Sequence, residues 1–110
     1  MIMYGTESQN VDRADARAAK TVLNHAVDAA EAFASTHNNS FAALTTYSLK
    51  RIEPRIDWVL SSPVNGQVAI QVTGERTFTC TYKNMSGAEF KAERNDQGTV
   101  KYIDSRGSPI

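Results

Sequence analysis

The sequence predicts an α+β fold in which one long N-terminal α-helix packs on a four-stranded antiparallel β-meander, as a single domain over 1–110. Three observations predict it. A stretch free of Gly and Pro and rich in Ala runs from Val11 to Thr36. From Gln67 onward, four runs of alternating apolar and polar residues follow, separated by Gly, Asn and Asp. The chain has 110 residues, 41% hydrophobic and 22% charged. That is the size and composition of one domain with its own core, which needs no disulfide or metal to hold it.

The helix is expected over 10–37, with 1–9 read as an expression remnant or disordered start. Ser8 and Asn10 are both good N-cap types. Nine alanines lie between Val11 and Thr36, and Ala has the highest helix propensity. Val11, Ala14, Ala18, Val22, Ala26, Ala29 and Phe33 recur at steps of three and four and form one stripe, which Ala19, Leu23 and Ala30 widen. Asp12, Asp15, Arg17, Lys20, Asp28 and Glu31 fall mostly elsewhere and read as solvated faces. His37-Asn38-Asn39-Ser40 is a cluster of turn formers and should stop the helix.

Such a helix has about 26 residues and measures ~39 Å. Four strands make a sheet only ~15–20 Å wide. The N-terminal half, Val11 to about Val22, is therefore expected to overhang the sheet. Its apolar residues would be covered by a further N-terminal segment or by a partner in an assembly, with Val11, Ala14, Ala18 and Val22 as the packing residues. Leu23, Ala26, Ala29, Ala30 and Phe33 should face the core.

Residues 38–66 form an αβ connection. Phe41 to Leu44 suits a short helical turn. Glu53-Pro54 breaks any helix, because a residue before proline is driven towards extended geometry. Ile56 to Leu60 reads as a short extended piece holding Trp58. Ser61-Ser62-Pro63 and Asn65-Gly66 are turn signals. The sheet is expected over 67–103, with strands Gln67 to Thr73, Arg76 to Lys83, Ala88 to Arg94 and Thr99 to Ile103. Residues 104–110 read as a tail. No internal repeat is apparent.

Twelve acids balance twelve bases, which argues against broad nucleic-acid binding, since that needs surplus Lys and Arg. One local cluster stands out: Lys50, Arg51 and Arg55 lie near Tyr47 and Trp58, residue types that stack on bases. No metal site is expected. His25, His37 and Cys80 have no ligand spacing, and His25 and His37 are too far apart on a helix to share an ion. Asn95, Asp96 and Asp104 have oxygens suited to Ca²⁺, but Asn95-Asp96-Gln97-Gly98 reads as a hairpin turn. No G-x-S-x-G elbow or phosphate-cradling glycine loop is present. Cys80 reads as a buried strand residue, and Asp28 with Glu31 as surface charges. No catalytic residue or cofactor is expected, so the chain does not read as an enzyme. Asn38-Asn39-Ser40 and Asn84-Met85-Ser86 match glycosylation sequons. No apolar run reaches the ~20 residues of a membrane span, and Met1 to Gly5 lacks the basic flank of a signal peptide, so the chain as it stands reads as soluble.

The run from Asp15 to Phe33 resembles the helix of type IV pilins and pseudopilins just after its membrane-embedded half. Asn38-Asn39-Ser40-Phe41, then Leu44 and Leu49, is similar to the connection that follows in that family. Glu53-Pro54-Arg55-Ile56 resembles the run into the sheet of many Gram-positive pilins. Ser86-Gly87-Ala88-Glu89-Phe90 and Asn95-Asp96-Gln97-Gly98 resemble the last hairpins. Together these cover roughly Asp12 to Tyr102. The prepilin cleavage site and apolar helix of the family are not in the chain, and a lone Cys80 cannot form the C-terminal disulfide of many relatives. The resemblance implies a structural subunit of a cell-surface filament, assembled through the N-terminal helix. The full-length precursor would be anchored in the membrane, and the filament would serve adhesion, motility, secretion or DNA uptake. The competing expectation is a small ligand- or partner-binding α+β domain that uses its open sheet face.

Overall fold

The computed structural model describes the backbone of residues 2–110 and the side chains of residues 13–110. Helix α1 (Ile2–Ser35) is followed by a short helix α2 (Thr46–Ile52). Five strands follow: β1 (Asp57–Val59), β2 (Gln67–Gly74), β3 (Thr77–Lys83), β4 (Glu89–Arg94) and β5 (Val100–Asp104). The sheet order is β1-β2-β3-β4-β5.

This corrects the predicted four-stranded antiparallel meander. The sheet has five strands and is mixed, because β1 pairs parallel to β2 through Asp57↔Gln67, Trp58↔Val68 and Val59↔Ala69. Parallel neighbours ordinarily need a crossover of a dozen residues or more. Here β1 is only three residues long, so residues 60–66 suffice to carry the chain back to its start. Ser62 at φ 49° and Gly66 at φ 88° turn that return. The extended piece around Trp58 was visible in the sequence, but its partner was not. A three-residue strand has no periodicity from which pairing can be read.

The remaining pairs are antiparallel and align three rows across the core face. These are Val68-Tyr82-Phe90-Asp104, Ile70-Cys80-Ala92-Tyr102 and Val72-Phe78-Arg94-Val100. Trp58 extends the first row and donates its indole N–H to the carbonyl of Glu53 at 3.1 Å. The opposite face carries Gln71-Thr79-Glu93-Lys101 and Ala69-Thr81-Lys91-Ile103. It is polar, as the strict alternation requires.

α1 lies on the core face with Ala19, Leu23, Ala26, Val27, Ala29, Ala30, Phe33 and Ala34 buried. An alanine methyl contributes only ~0.8 kcal/mol on burial, against ~1.5–3 for Leu or Phe. Leu23 and Phe33 therefore supply much of the helix's apolar anchorage, while the alanines let it lie close to the strands. The buried face is rotated from the predicted stripe: Ala14 and Ala18 are exposed, whereas Ala19 is fully buried and Val22 is half-buried against the core. The start predicted at Ser8 or Asn10 also differs from the helix observed, which begins at Ile2. Its end follows the turn cluster, with Asn38 and Asn39 at φ 59° and 58° and the amides of His37 and Asn39 both returning to Ala34 O.

The overhang from Val11 to Val22 is corrected in part. The core reaches back along α1 to Ala16 and Ala19, because residues 104–110 are not a loose tail. Asp104 N donates to Ser108 O, Pro109 bridges Ile103, and Ile110 N donates to Tyr102 O. This extra turn brings Ile110 against the cluster that holds Ala16. Val11 lies outside the residues whose side chains are described.

A short turn forms at Phe41–Leu44, closed by Leu44 N donating to Phe41 O at 3.0 Å, and is followed by the separate helix α2 at Thr46–Ile52. Thr45 caps it by accepting the amide of Ser48 at 3.1 Å, and Lys50 and Arg51 fall in its last turn, where cations oppose the carbonyl end. Phe41 inserts edge-on against Phe78, with ring centroids 4.8 Å apart. Burial anchors both elements: Phe41 is 1% exposed, and Leu49 of α2 is fully buried.

A repeat does exist, at the level of turns. Asn84-Met85-Ser86-Gly87-Ala88, Asn95-Asp96-Gln97-Gly98-Thr99 and Asp104-Ser105-Arg106-Gly107-Ser108 fold alike. In each, the first residue's Oδ1 accepts the amides two and four positions on. Its own amide donates to the carbonyl four positions on, and the glycine amide donates back to its carbonyl. The glycines sit at φ 88°, 84° and 82°, where a side chain is strained. Five residues with two fixed positions are too short to register as a sequence repeat.

Candidate functional surfaces

Four surfaces contain the residues singled out in the sequence. The first is the outer side of α1, where Ala14 and Ala18 are exposed and Val22 lies at the margin of the core. The predicted core residues Leu23, Ala26, Ala29, Ala30 and Phe33 are all buried. The second carboxylate of the Asp28–Glu31 pair is not a free surface charge. Glu31 accepts from Arg94 Nε at 2.6 Å.

The second surface is α2. Lys50 and Arg51 are exposed, and Arg51 lies over the ring of Tyr47, which is itself 71% exposed. Arg55, the third residue of the predicted patch, is exposed as well, but its charge is not free. Arg55 is held by Glu53 in a two-bond pair, Nε to Oε2 and Nη2 to Oε1, each 3.0 Å. Trp58 is 5% exposed and belongs to the core, not to a stacking platform. The Arg55 hydrogen bond also holds the Glu53 carboxyl below its usual value.

The third surface is a cleft of ≈ 260 Å³ between α1 and the start of the sheet. Its floor is Val22, Ile56 and Val68, and its rim carries His25, Tyr82 and the Glu53–Arg55 pair. It presents no nucleophile, and its one carboxylate is already paired. The fourth is a groove of ≈ 610 Å³ where α1 meets the last turn. Arg13, Arg17, Lys20 and Arg106 line it with Asp104. Lys20 Nζ donates to the backbone oxygen of Ile110 at 3.1 Å, and Arg106 pairs with Asp104 at 3.4 Å.

The remaining candidates have structural roles. Cys80 is fully buried, and desolvation pushes its thiol up to about 12. His37 bonds Phe33 O through Nδ1 and stacks on the Phe33 ring, while His25 is exposed on α1. Among the described residues no group of three His, Cys, Asp or Glu is placed to hold a metal. Asn95 and Asp104 lie at opposite ends of β5, and their Oδ1 atoms are taken by backbone amides. Of the two sequons, Asn38 is exposed, whereas Asn84 is 9% exposed with its side chain committed to the turn. Among the described residues no helix is long and apolar enough to cross a membrane.

The open sheet face is self-complementary in charge. Lys83 lies across from Glu89, and Glu93 across from Lys101. Comparison with protein-family models, curated proteins and solved structures finds no match.

Proposed function

We propose that this chain is a structural subunit of a type IV pilus-like cell-surface filament, of pilin or pseudopilin kind, with α1 as its assembly element. The observation that carries the reading is a mismatch of length. α1 has 34 residues, about 51 Å at 1.5 Å per residue. The five-stranded sheet is ~20 Å wide, and the helix residues in its core run from Ala16 to Ala34. A helix that outlasts its own sheet is suited to packing against other subunits. Ala14 and Ala18, exposed on that helix, permit a neighbouring backbone to come close. The order of elements adds support: helix, short connection, then hairpins closed by tight turns.

In this reading the precursor carries an apolar helical segment N-terminal to Met1 that anchors it in the membrane. The filament lies outside the cell and acts in adhesion, motility, secretion or DNA uptake. No residue need be catalytic. The test is to raise antibody against the chain and probe filaments sheared from cells that encode it. Labelled filaments support the reading. Antigen confined to the soluble cell contents, with intact filaments unlabelled, sinks it.

A further inference from the structure

The edge of β2 is only partly covered. β1 pairs with Gln67, Val68 and Ala69 and then leaves the sheet at Leu60. From Ile70 to Gly74, β2 has β3 on one side and, among the described residues, no strand on the other. Alongside it runs a groove of ≈ 500 Å³ lined by Leu44, Thr46, Leu60 and Ile70 to Thr73. Leu60 is 69% exposed and Val72 is 37% exposed. The far end is closed by a register shift between Val72 and Gly74 and by Phe41 N donating to Glu75 O.

Proteins usually guard such an edge with Lys, Pro or inward charge. This one has no charged residue from Trp58 to Gly74, nor in the groove lining, although the chain has twelve acids and twelve bases. A charged partner strand therefore finds nothing to pair with. A neutral strand, rich in Val and Ile and with the same hydrogen-bonding edge, fits best, and Ile70-Gln71-Val72 is such a strand. We propose that this edge pairs with its own counterpart on a second copy of the chain, antiparallel about a two-fold axis near Val72, to join two sheets into one.

Five residues of edge span only ~17 Å, and a contact along one strand edge covers much less than the ~800 Å² per partner of a stable interface. The pairing is therefore weak in solution, and, being two-fold, it closes at two copies. It does not depend on the filament reading. The test is sedimentation of the free chain from roughly 10 µM to 1 mM, with amide exchange followed at both ends of that range. A reversible dimer is expected, with Gln71 to Thr73 slowing as concentration rises. Val72→Lys places like charges opposite each other and should weaken the dimer about tenfold or more. Leu60→Glu, at an exposed loop position that leaves the fold undisturbed, should do the same. A monomer at every concentration overturns the proposal. So does a dimer that both variants leave unchanged. A monomer whose antibody still labels filaments overturns this pairing alone.

Discussion

Arg94, the last residue of β4, donates through Nε to Oε2 of Glu31 on α1 at 2.6 Å, across 63 positions of chain. The same guanidinium donates through Nη1 to the carbonyl of Arg76 and lies 4.9 Å over the Phe41 ring. One side chain thus ties the helix, the β2–β3 turn and the connection to α2. Removing Arg94 loses all three of these contacts, whereas removing Glu31 loses one and leaves the guanidinium bonded to the Arg76 and Asn95 carbonyls. Arg94→Ala should cost about 2–3 kcal/mol and Glu31→Ala about 1 kcal/mol or less, read from urea unfolding midpoints.

The three like turns allow an internal comparison. Asn84→Ala leaves two amides without their acceptor where the Asn84 side chain is itself buried and the bonds are partly buried, and should cost about 2 kcal/mol. Asn95→Ala removes the same two bonds where water can replace them and should cost less than half as much. Gly87→Ala and Gly107→Ala should each cost about 1 kcal/mol for the positive φ alone, since an added Cβ meets nothing closer than 4.0 Å at Gly87 and nothing within 4 Å at Gly107. Equal losses at Asn84 and Asn95 in thermal unfolding would refute the role of burial.

Stability should fall at both extremes of pH. Glu53 is held below its ordinary 4.5 by the Arg55 hydrogen bond, and Asp104 below 3.8 chiefly by the Ser108 amide. Depressed carboxyls stabilise above their unfolded values, and that contribution is lost as pH falls through the folded ones. Cys80 is raised from 9.0 to about 12 by desolvation. Its contribution is complete below pH 9 and is lost as pH rises towards 12. The melting temperature should therefore be level from about pH 5 to 9 and decline on either side. Cys80→Ala should flatten the alkaline limb. At pH 8 Cys80 should resist iodoacetamide in the folded protein and react promptly in urea.

The basic cluster should bind nucleic acid poorly. Arg55, though exposed, is paired with Glu53, and Trp58 is buried, so only Lys50 and Arg51 offer unpaired positive charge there, beside the exposed Tyr47. Lys50→Ala, Arg51→Ala and Arg55→Ala combined should leave affinity for a DNA oligonucleotide unchanged. A loss of binding that also follows a steep salt dependence would reinstate the site.

The sequence by itself determined the helix, its end, the strands β2 to β5 and the inward rows of the sheet. Those features repeat at 3.6 or 2 residues, or end in turn residues whose φ preference is local. It also placed Cys80 in the core, because one position in an alternating strand is enough to assign a face. Only tertiary structure decided the rest. Whether the piece around Trp58 pairs with β2, and in which direction, depends on two segments meeting in space. Which flank of the alanine stripe turns inward depends on the sheet and on the last turn that closes over Ala16. Arg94 reads as an ordinary strand-end cation until Glu31 and Phe41 are brought beside it. As for the long helix on its sheet, the Ala-rich run without Gly or Pro specified its body and its end but not its start, expected near Ser8 or Asn10 and found at Ile2. Packing set how far along it the core extends.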